Sequence, residues 1–166
     1  AVAPVAVDTR PVRFIDIIET SKLLRAALKE CFPAGKFSVR SHRYAGGSSI
    51  RVNWPDGPTQ REVEPILKAF EGASFDGMQD LKTSHDSTLN GERVRFGNDY
   101  VCGNRSYSVA FLTQVARQVT DRLQIPMPEI LSSGPECVAY IKDNDHQRYW
   151  DEQAREHGAS DLATAP

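Results

Sequence analysis

The sequence has no long apolar run, few cysteines and almost no net charge. Because no stretch approaches the roughly 20 apolar residues that a membrane-spanning helix needs, we expect no membrane partner. Three cysteines among 166 residues, Cys31, Cys102 and Cys137, form no CxxC pair and leave one over. This favours buried, reduced thiols in a cytoplasmic protein. The net charge of −2 gives no overall attraction to nucleic acid, so any electrostatic preference must be local.

Motifs for catalysis and for metal or cofactor binding are also missing. The sequence contains no Walker A loop and no GxGxxG, and the residues around Cys102 match no nucleophile signature. The His85–Asp86 pair and residues 143–146 lack the spacing of a zinc or calcium site. We therefore predict no metal, no cofactor and no enzymatic activity, and we interpret Cys102 as a core residue.

The overall composition is typical of one globular domain, with 40% hydrophobic and 25% charged residues. We expect residues 1–15 to form an N-terminal arm and residues 16–125 to form the domain. Residues 126–157 should form a C-terminal extension with a strand and a polar helix, and residues 158–166 a disordered tail.

Hydrophobic periodicity predicts two helices in the first half of the chain. Leu24, Leu28 and Cys31 belong to one apolar stripe, which predicts a helix over residues 16–32. A capping box of Thr59 and its third following residue, a glutamate, should begin a second helix. A proline at the sixth position of that helix predicts that it is short or kinked.

Alternation of apolar and polar residues predicts a β-hairpin over residues 36–54. Its strands flank the turn at residues 44–47, where two glycines tolerate positive φ. One face of this hairpin should be buried against the helices and the other should be exposed to solvent.

The second half of the chain gives weaker signals. We predict a loop over residues 72–91, short strands at 93–96 and 100–102 around a turn, and a helix capped by Ser106 or Ser108 that ends near Gln124. A further strand is predicted at residues 137–141. The element order predicts an α+β fold, an antiparallel sheet built from β-hairpins with helices packed on one face.

The solvent-exposed face of the hairpin is the first candidate site. Between Pro33 and Pro55 the sequence has four basic residues and no acid, a local charge of +4. Alternation places Arg40, His42 and Arg51 on one surface, which favours binding of phosphates, and a nearby tyrosine is available to stack a base. The alternative is a solvated sheet face whose charges protect an edge. The residues predicted for this site are Lys36, Arg40, His42, Arg43, Tyr44 and Arg51.

A second basic group, Arg93, Arg95 and Arg105, lies near the later strands. If those strands join the same sheet, they widen its positive face. Arg105 also precedes a predicted helix N-terminus, where backbone N–H groups favour anions. The alternative is helix capping and surface charge.

Several segments of the chain resemble the large polyvalent protein-associated domain family (type 29). The resemblance covers about residues 20–124, roughly two-thirds of the chain. It rests on KLLRAALKECFP (22–33), KFSVRS (36–41), YAGGSSI (44–50), VNW (52–54), DGPT (56–59) and FDGM (75–78). It implies an α+β accessory domain without an established active site. Such domains occur in plasmid and phage proteins, beside anti-restriction, DNA-processing or toxin modules. The resemblance therefore implies a protein that is encoded by a mobile genetic element and lies in the cytoplasm of a bacterial host cell.

We therefore predict a non-catalytic accessory module that binds nucleic acid through the basic hairpin face. The alternative is counter-defence: a protein-binding inhibitor of a host defence system, of the anti-restriction or anti-CRISPR type. Residues 142–166 carry three basic and six acidic side chains, which would suit mimicry of DNA phosphates. Tyr149 and Trp150 are candidate anchors for such a protein interface. The alternative is a solvated terminal helix.

Overall fold

The structure is a computed structural model that describes residues 8–76, 78, 81–124, 126–133 and 138–142. Among these residues, three helices and ten short strands alternate along the chain, and none of the helices is long and apolar enough to cross a membrane. The elements are β1 (Arg13–Ile15), α1 (Ile17–Cys31), β2 (Ser38–Tyr44), β3 (Gly47–Pro55), α2 (Gln60–Ala69), β4 (Ala73–Asp76), β5 (Leu81–Ser84), β6 (Ser87–Leu89), β7 (Glu92–Phe96), β8 (Tyr100–Ser106), α3 (Val109–Leu123), β9 (Glu129–Ser133) and β10 (Val138–Lys142).

Helix α1 forms where the apolar stripe predicted it. The Asp16 carboxylate accepts a hydrogen bond from the backbone N–H of Ile18 and so caps the N-terminus. Leu24 and Leu28 are fully buried, whereas the last residue, Cys31, is exposed. The helix prediction is confirmed, but the stripe is one residue shorter than the periodicity indicated.

The β2–β3 hairpin is also confirmed. Gly46 has a φ of 90°, the left-handed conformation that the two-residue connection requires. The apolar residues of β3 alternate inward as predicted, with Ile50, Val52 and Trp54 all buried. The hairpin therefore presents one apolar face to the helices and one polar face to solvent.

The hairpin belongs to a three-stranded central sheet with the order β2–β3–β8. Strand β8 pairs with β3 in parallel, because the long connection through α2 and β4–β7 returns the chain to the same end of the sheet. Helices α1 and α2 cover one face and form a single core with it. The α+β class is confirmed, while this parallel pair differs from the all-antiparallel sheet predicted from hairpins.

Helix α2 begins at the predicted capping box. The Thr59 side chain accepts from the Glu62 backbone N–H, and the Glu62 carboxylate accepts from the Thr59 backbone N–H at 2.7 Å. Pro65 lies inside this helix, which is only ten residues long, as the proline indicated.

A second sheet has the order β1–β7–β6, and the second half of the chain differs from the prediction. Strands β7 and β8 do not pair with each other, because β7 pairs with β1 in parallel and with β6 in a hairpin. Residues 72–91 are not one loop, since they contain β4, β5 and β6. Strand β1 also lies within the predicted N-terminal arm.

Helix α3 starts at Ser108, whose hydroxyl accepts from the Phe111 backbone N–H at 3.1 Å. Its buried stripe forms a separate apolar cluster with Tyr107 and Ile130. Strands β9 and β10 pair antiparallel, and β10 falls where the last strand was predicted. The predicted helix at residues 145–157 and the tail at 158–166 lie outside the described residues.

Candidate nucleic-acid interface

The face of the central sheet opposite α1 and α2 carries mainly polar and aromatic side chains, and we call it the open face. Strand pairing arranges nine of its residues into three rows that cross β2, β3 and β8 in that order. The rows are Ser38–Asn53–Asn104, Arg40–Arg51–Cys102 and His42–Ser49–Tyr100. The predicted shared surface for Arg40, His42 and Arg51 is therefore confirmed by the strand register.

The middle row concentrates positive charge. Arg40 and Arg51 are cross-strand partners and are both exposed. They line a cleft of about 540 Å³ whose other described lining residues are serines, asparagines and Cys102, with no carboxylate. Within the described residues neither arginine has an ion pair, and directly opposed like charges repel each other across a sheet. An anion between them would relieve that repulsion.

The row beyond the arginines supplies amides. Asn53 and Asn104 are cross-strand partners that line the same cleft as Arg51. Each side-chain amide offers both donors and an acceptor, the groups that recognise base edges and sugar hydroxyls. This part of the open face can therefore make hydrogen bonds that do not depend on charge.

The row on the other side of the arginines contains the rings of His42 and Tyr100. Together with Tyr44, we call these two residues the aromatic end. The rings of His42 and Tyr44 are stacked, 6.1 Å apart. The Tyr44 hydroxyl lies 3.0 Å from that of Tyr100 and 3.2 Å from an Asp99 carboxylate oxygen. The hydrogen bond with Tyr100, followed by burial and the Asp99 charge, raises the pKa of Tyr44 well above its usual value. The ring therefore stays a neutral phenol.

Two other residues of the predicted site do not lie on the open face. Lys36 precedes β2 and lines a separate cleft beside the end of α1. Arg43 lies on the covered side of β2, where its guanidinium pairs with the α1 cap Asp16 at 2.6 Å. Neither residue belongs to the open face.

Arg93 and Arg95 lie in the second sheet, on β7, and both bind Asp86. Burial raises the pKa of Asp86, but the hydrogen bonds from Arg95 and Arg93 outweigh it and hold the pKa below its ordinary value. Arg93 also donates to the backbone carbonyls of Asp8 and Arg10. Arg93 is therefore engaged in holding the N-terminal segment and Arg95 in pairing with Asp86, and neither widens the open face.

Arg105 is almost entirely buried, with 9% of its surface exposed. Its guanidinium donates to the backbone carbonyls of Asp56 at 2.7 Å and Gly57 at 3.2 Å, and it lies 5.0 Å from the centre of the Tyr107 ring. Burial lowers the pKa of Arg105 from its usual value. This side chain joins the β3–α2 turn to the start of α3 instead of facing solvent.

The N-terminus of α3 already has a carboxylate. The Asp56 side chain accepts from both the backbone N–H and the hydroxyl of Ser108, each at 2.7 Å. The Asp56 carboxylate therefore occupies the helix N-terminus where the sequence predicted anion binding beside Arg105.

The predicted burial of the cysteines is wrong for the two that the structure describes, although both are free thiols as predicted. Cys31 and Cys102 are both exposed, because one ends α1 and the other lies on the outward-facing side of β8. Within the described ranges no three His, Cys, Asp or Glu side chains come together as a metal site. Cys137, Tyr149 and Trp150 lie outside those ranges, so the alternative of a protein-binding inhibitor stays a prediction.

The comparisons with known proteins agree with the part of the chain that forms this site. The family described as large polyvalent protein associated domain 29 matches residues 15–108, more than half of the chain. The matched residues contain the whole central sheet together with α1 and α2. No curated protein and no solved structure matches the chain.

Proposed function

This chain belongs to the large polyvalent protein associated domain 29 family, an accessory domain of polyvalent proteins, and on that premise we propose that it is a non-catalytic module that binds nucleic acid through its open face. The single observation that carries the proposal is the pair of exposed arginines, Arg40 and Arg51, facing each other in a cleft that has no acid among its described lining residues. Phosphodiester groups are the anions that such a pair fits best, since guanidinium groups form bidentate hydrogen bonds with phosphate oxygens.

The size and charge of the open face suit a short stretch of a polynucleotide. Three strands about 4.8 Å apart give a surface roughly 10 Å wide, and its three rows extend for about 13 Å along the strands. Two arginines lie at its middle, neither with an ion pair to any described residue, in a chain whose net charge is −2. Binding should therefore be local and modest, and it should weaken as salt increases.

Replacing both arginines by glutamine, Arg40→Gln with Arg51→Gln, is expected to weaken binding of a ten-nucleotide single strand by about 10- to 30-fold at low salt. This corresponds to roughly 0.7–1 kcal/mol for each exposed charge contact. The slope of log affinity against log salt should also become shallower by about 1.4, because two phosphate contacts are lost. Fluorescence anisotropy with a labelled oligonucleotide, between about 50 and 200 mM salt, measures both quantities.

The matched control removes the same charge from the other side of the molecule. Lys22 and Lys29 are exposed on α1, which covers the opposite face of the central sheet. The variant with Lys22→Gln and Lys29→Gln should keep both the affinity and the salt slope of the unmodified protein. If the two double variants lose affinity equally, binding depends on overall charge and the open face is not the site.

A further inference from the structure

The aromatic end of the open face differs in chemistry from the arginine row beside it. Tyr100 and Tyr44 expose 45% and 39% of their surfaces to solvent. His42 lies on the same face and stacks on Tyr44. Three neighbouring rings therefore offer flat, solvent-accessible surfaces at one end of a cationic cleft.

The charges around these rings disfavour a phosphate there. Tyr44 and Tyr100 form part of a second cleft, of about 410 Å³, whose charged lining residues are Glu71, Lys82 and Asp99. Lys82 pairs with Asp99 at 2.6 Å, and Glu71 accepts a hydrogen bond from the backbone N–H of Val101 at 3.2 Å. The described charged residues of this cleft sum to −1, whereas the middle row carries two arginines that have no ion pair within the described part of the chain. A neutral, flat group fits this end better than an anion does.

We propose that the open face selects single-stranded over duplex nucleic acid, with an unpaired base stacked on the aromatic end while the adjacent phosphate binds Arg40 and Arg51; this rests on the proposed function. Tyr100 and Cys102 are two residues apart on β8, so the aromatic and arginine rows are separated by roughly 6.6 Å. That spacing is comparable with the distance between a base and a neighbouring phosphate of one strand.

A duplex cannot make both contacts. Its bases are stacked on each other inside the helix, so only its phosphates reach the arginine row. Stacking on an aromatic side chain tolerates every base, because each base has a π-face. The open face should therefore discriminate between paired and unpaired strands and not between sequences.

The test uses the full chain and three probes of equal length: a ten-residue thymidine strand, an abasic strand with the same phosphates, and a duplex. A ten-residue uridine strand is added to separate RNA from DNA. The unmodified protein should bind the thymidine or the uridine strand about 5- to 150-fold more tightly than the abasic strand, the range that base stacking provides. Tyr100→Leu should bring that affinity down to the abasic level, whereas Tyr100→Phe, which keeps the ring, should leave it unchanged.

The outcomes separate this inference from the proposed function. If the abasic strand or the duplex binds as tightly as the thymidine and uridine strands, or if Tyr100→Leu keeps the preference while its thermal melting is unchanged, base stacking is refuted and phosphate binding stands. If no probe binds, the proposed function fails and this inference fails with it.

Discussion

Replacing Trp54 by alanine is expected to lower the free energy of unfolding by about 3–5 kcal/mol, the usual cost of removing a large aromatic residue from a core. Trp54 is 1% exposed and lies on the covered side of β3, directly behind the open face. Its ring packs against Phe37 at 5.6 Å, and its indole N–H donates to the Pro58 carbonyl at 2.8 Å. The substitution therefore removes both the filling of the core and the bond that holds the β3–α2 turn.

Urea unfolding of three variants measures this effect. Trp54→Phe keeps an apolar ring but loses the indole N–H, so it should cost clearly less than alanine. Phe14→Ala removes an aromatic ring that is 66% exposed, and it should change stability by no more than about 0.5 kcal/mol. A loss below about 1 kcal/mol for Trp54→Ala would contradict the placement of this residue at the centre of the main core.

Replacing Arg105 by methionine is expected to cost roughly 2–4 kcal/mol. Methionine keeps much of the length and apolar stem of arginine, so the substitution mainly removes the donors. The carbonyls of Asp56 and Gly57 then lose a buried partner, at about 1–3 kcal/mol for each group left unsatisfied. The contact of the guanidinium with the Tyr107 ring is lost as well.

The same substitution at Arg51 provides the control. Arg51 lies on the neighbouring strand β3 but on the open face, where it is exposed and faces another arginine. Arg51→Met should change stability by less than about 0.5 kcal/mol while weakening nucleic-acid binding. Thermal and urea unfolding of the two variants compare them directly. Equal stability losses would show that the burial of Arg105 does not distinguish the two arginines.

The features that the sequence predicted correctly depend on neighbouring residues. Helix α1, the β2–β3 hairpin and the Thr59–Glu62 capping box are each specified by residues close together in the sequence. One local signal was overlooked. Asn90 and Gly91 both have positive φ and close the β6–β7 hairpin, and this dipeptide is a strong hairpin indicator within the segment that was predicted to be a loop.

The features that the sequence did not predict depend on distant pairing. Ile50 and Val101 are register partners in the parallel β3–β8 pair although they are 51 positions apart. Alternation within one strand indicates which residues share a face but not which strand lies beside it. For this reason Tyr100, Cys102 and Asn104 were not included in the predicted site.

The alternation of side chains along a strand is nevertheless sufficient to indicate on which side of the sheet two of the arginines lie. Arg105 is four residues after the buried Val101 on β8, and Arg43 is four residues after the buried Val39 on β2. Both therefore share a side with inward-facing residues, and this parity separates them from Arg40 and Arg51. Charge alone suggested that all these arginines form one basic surface. Their positions along the strands instead place Arg40 and Arg51 on the open face and Arg43 and Arg105 on the covered side, where they make structural contacts.

The central claim is that nucleic acid occupies the open face, and alkylation of Cys102 tests it most directly. Cys102 lies in the arginine row, while Cys31, also exposed, lines a separate cleft at the end of α1 and serves as an internal reference. With free thymidine strand at ten times its Kd, alkylation of Cys102 by iodoacetamide should slow about tenfold, and that of Cys31 should not change. Unchanged reactivity of Cys102 under conditions where anisotropy reports saturated binding would contradict the account.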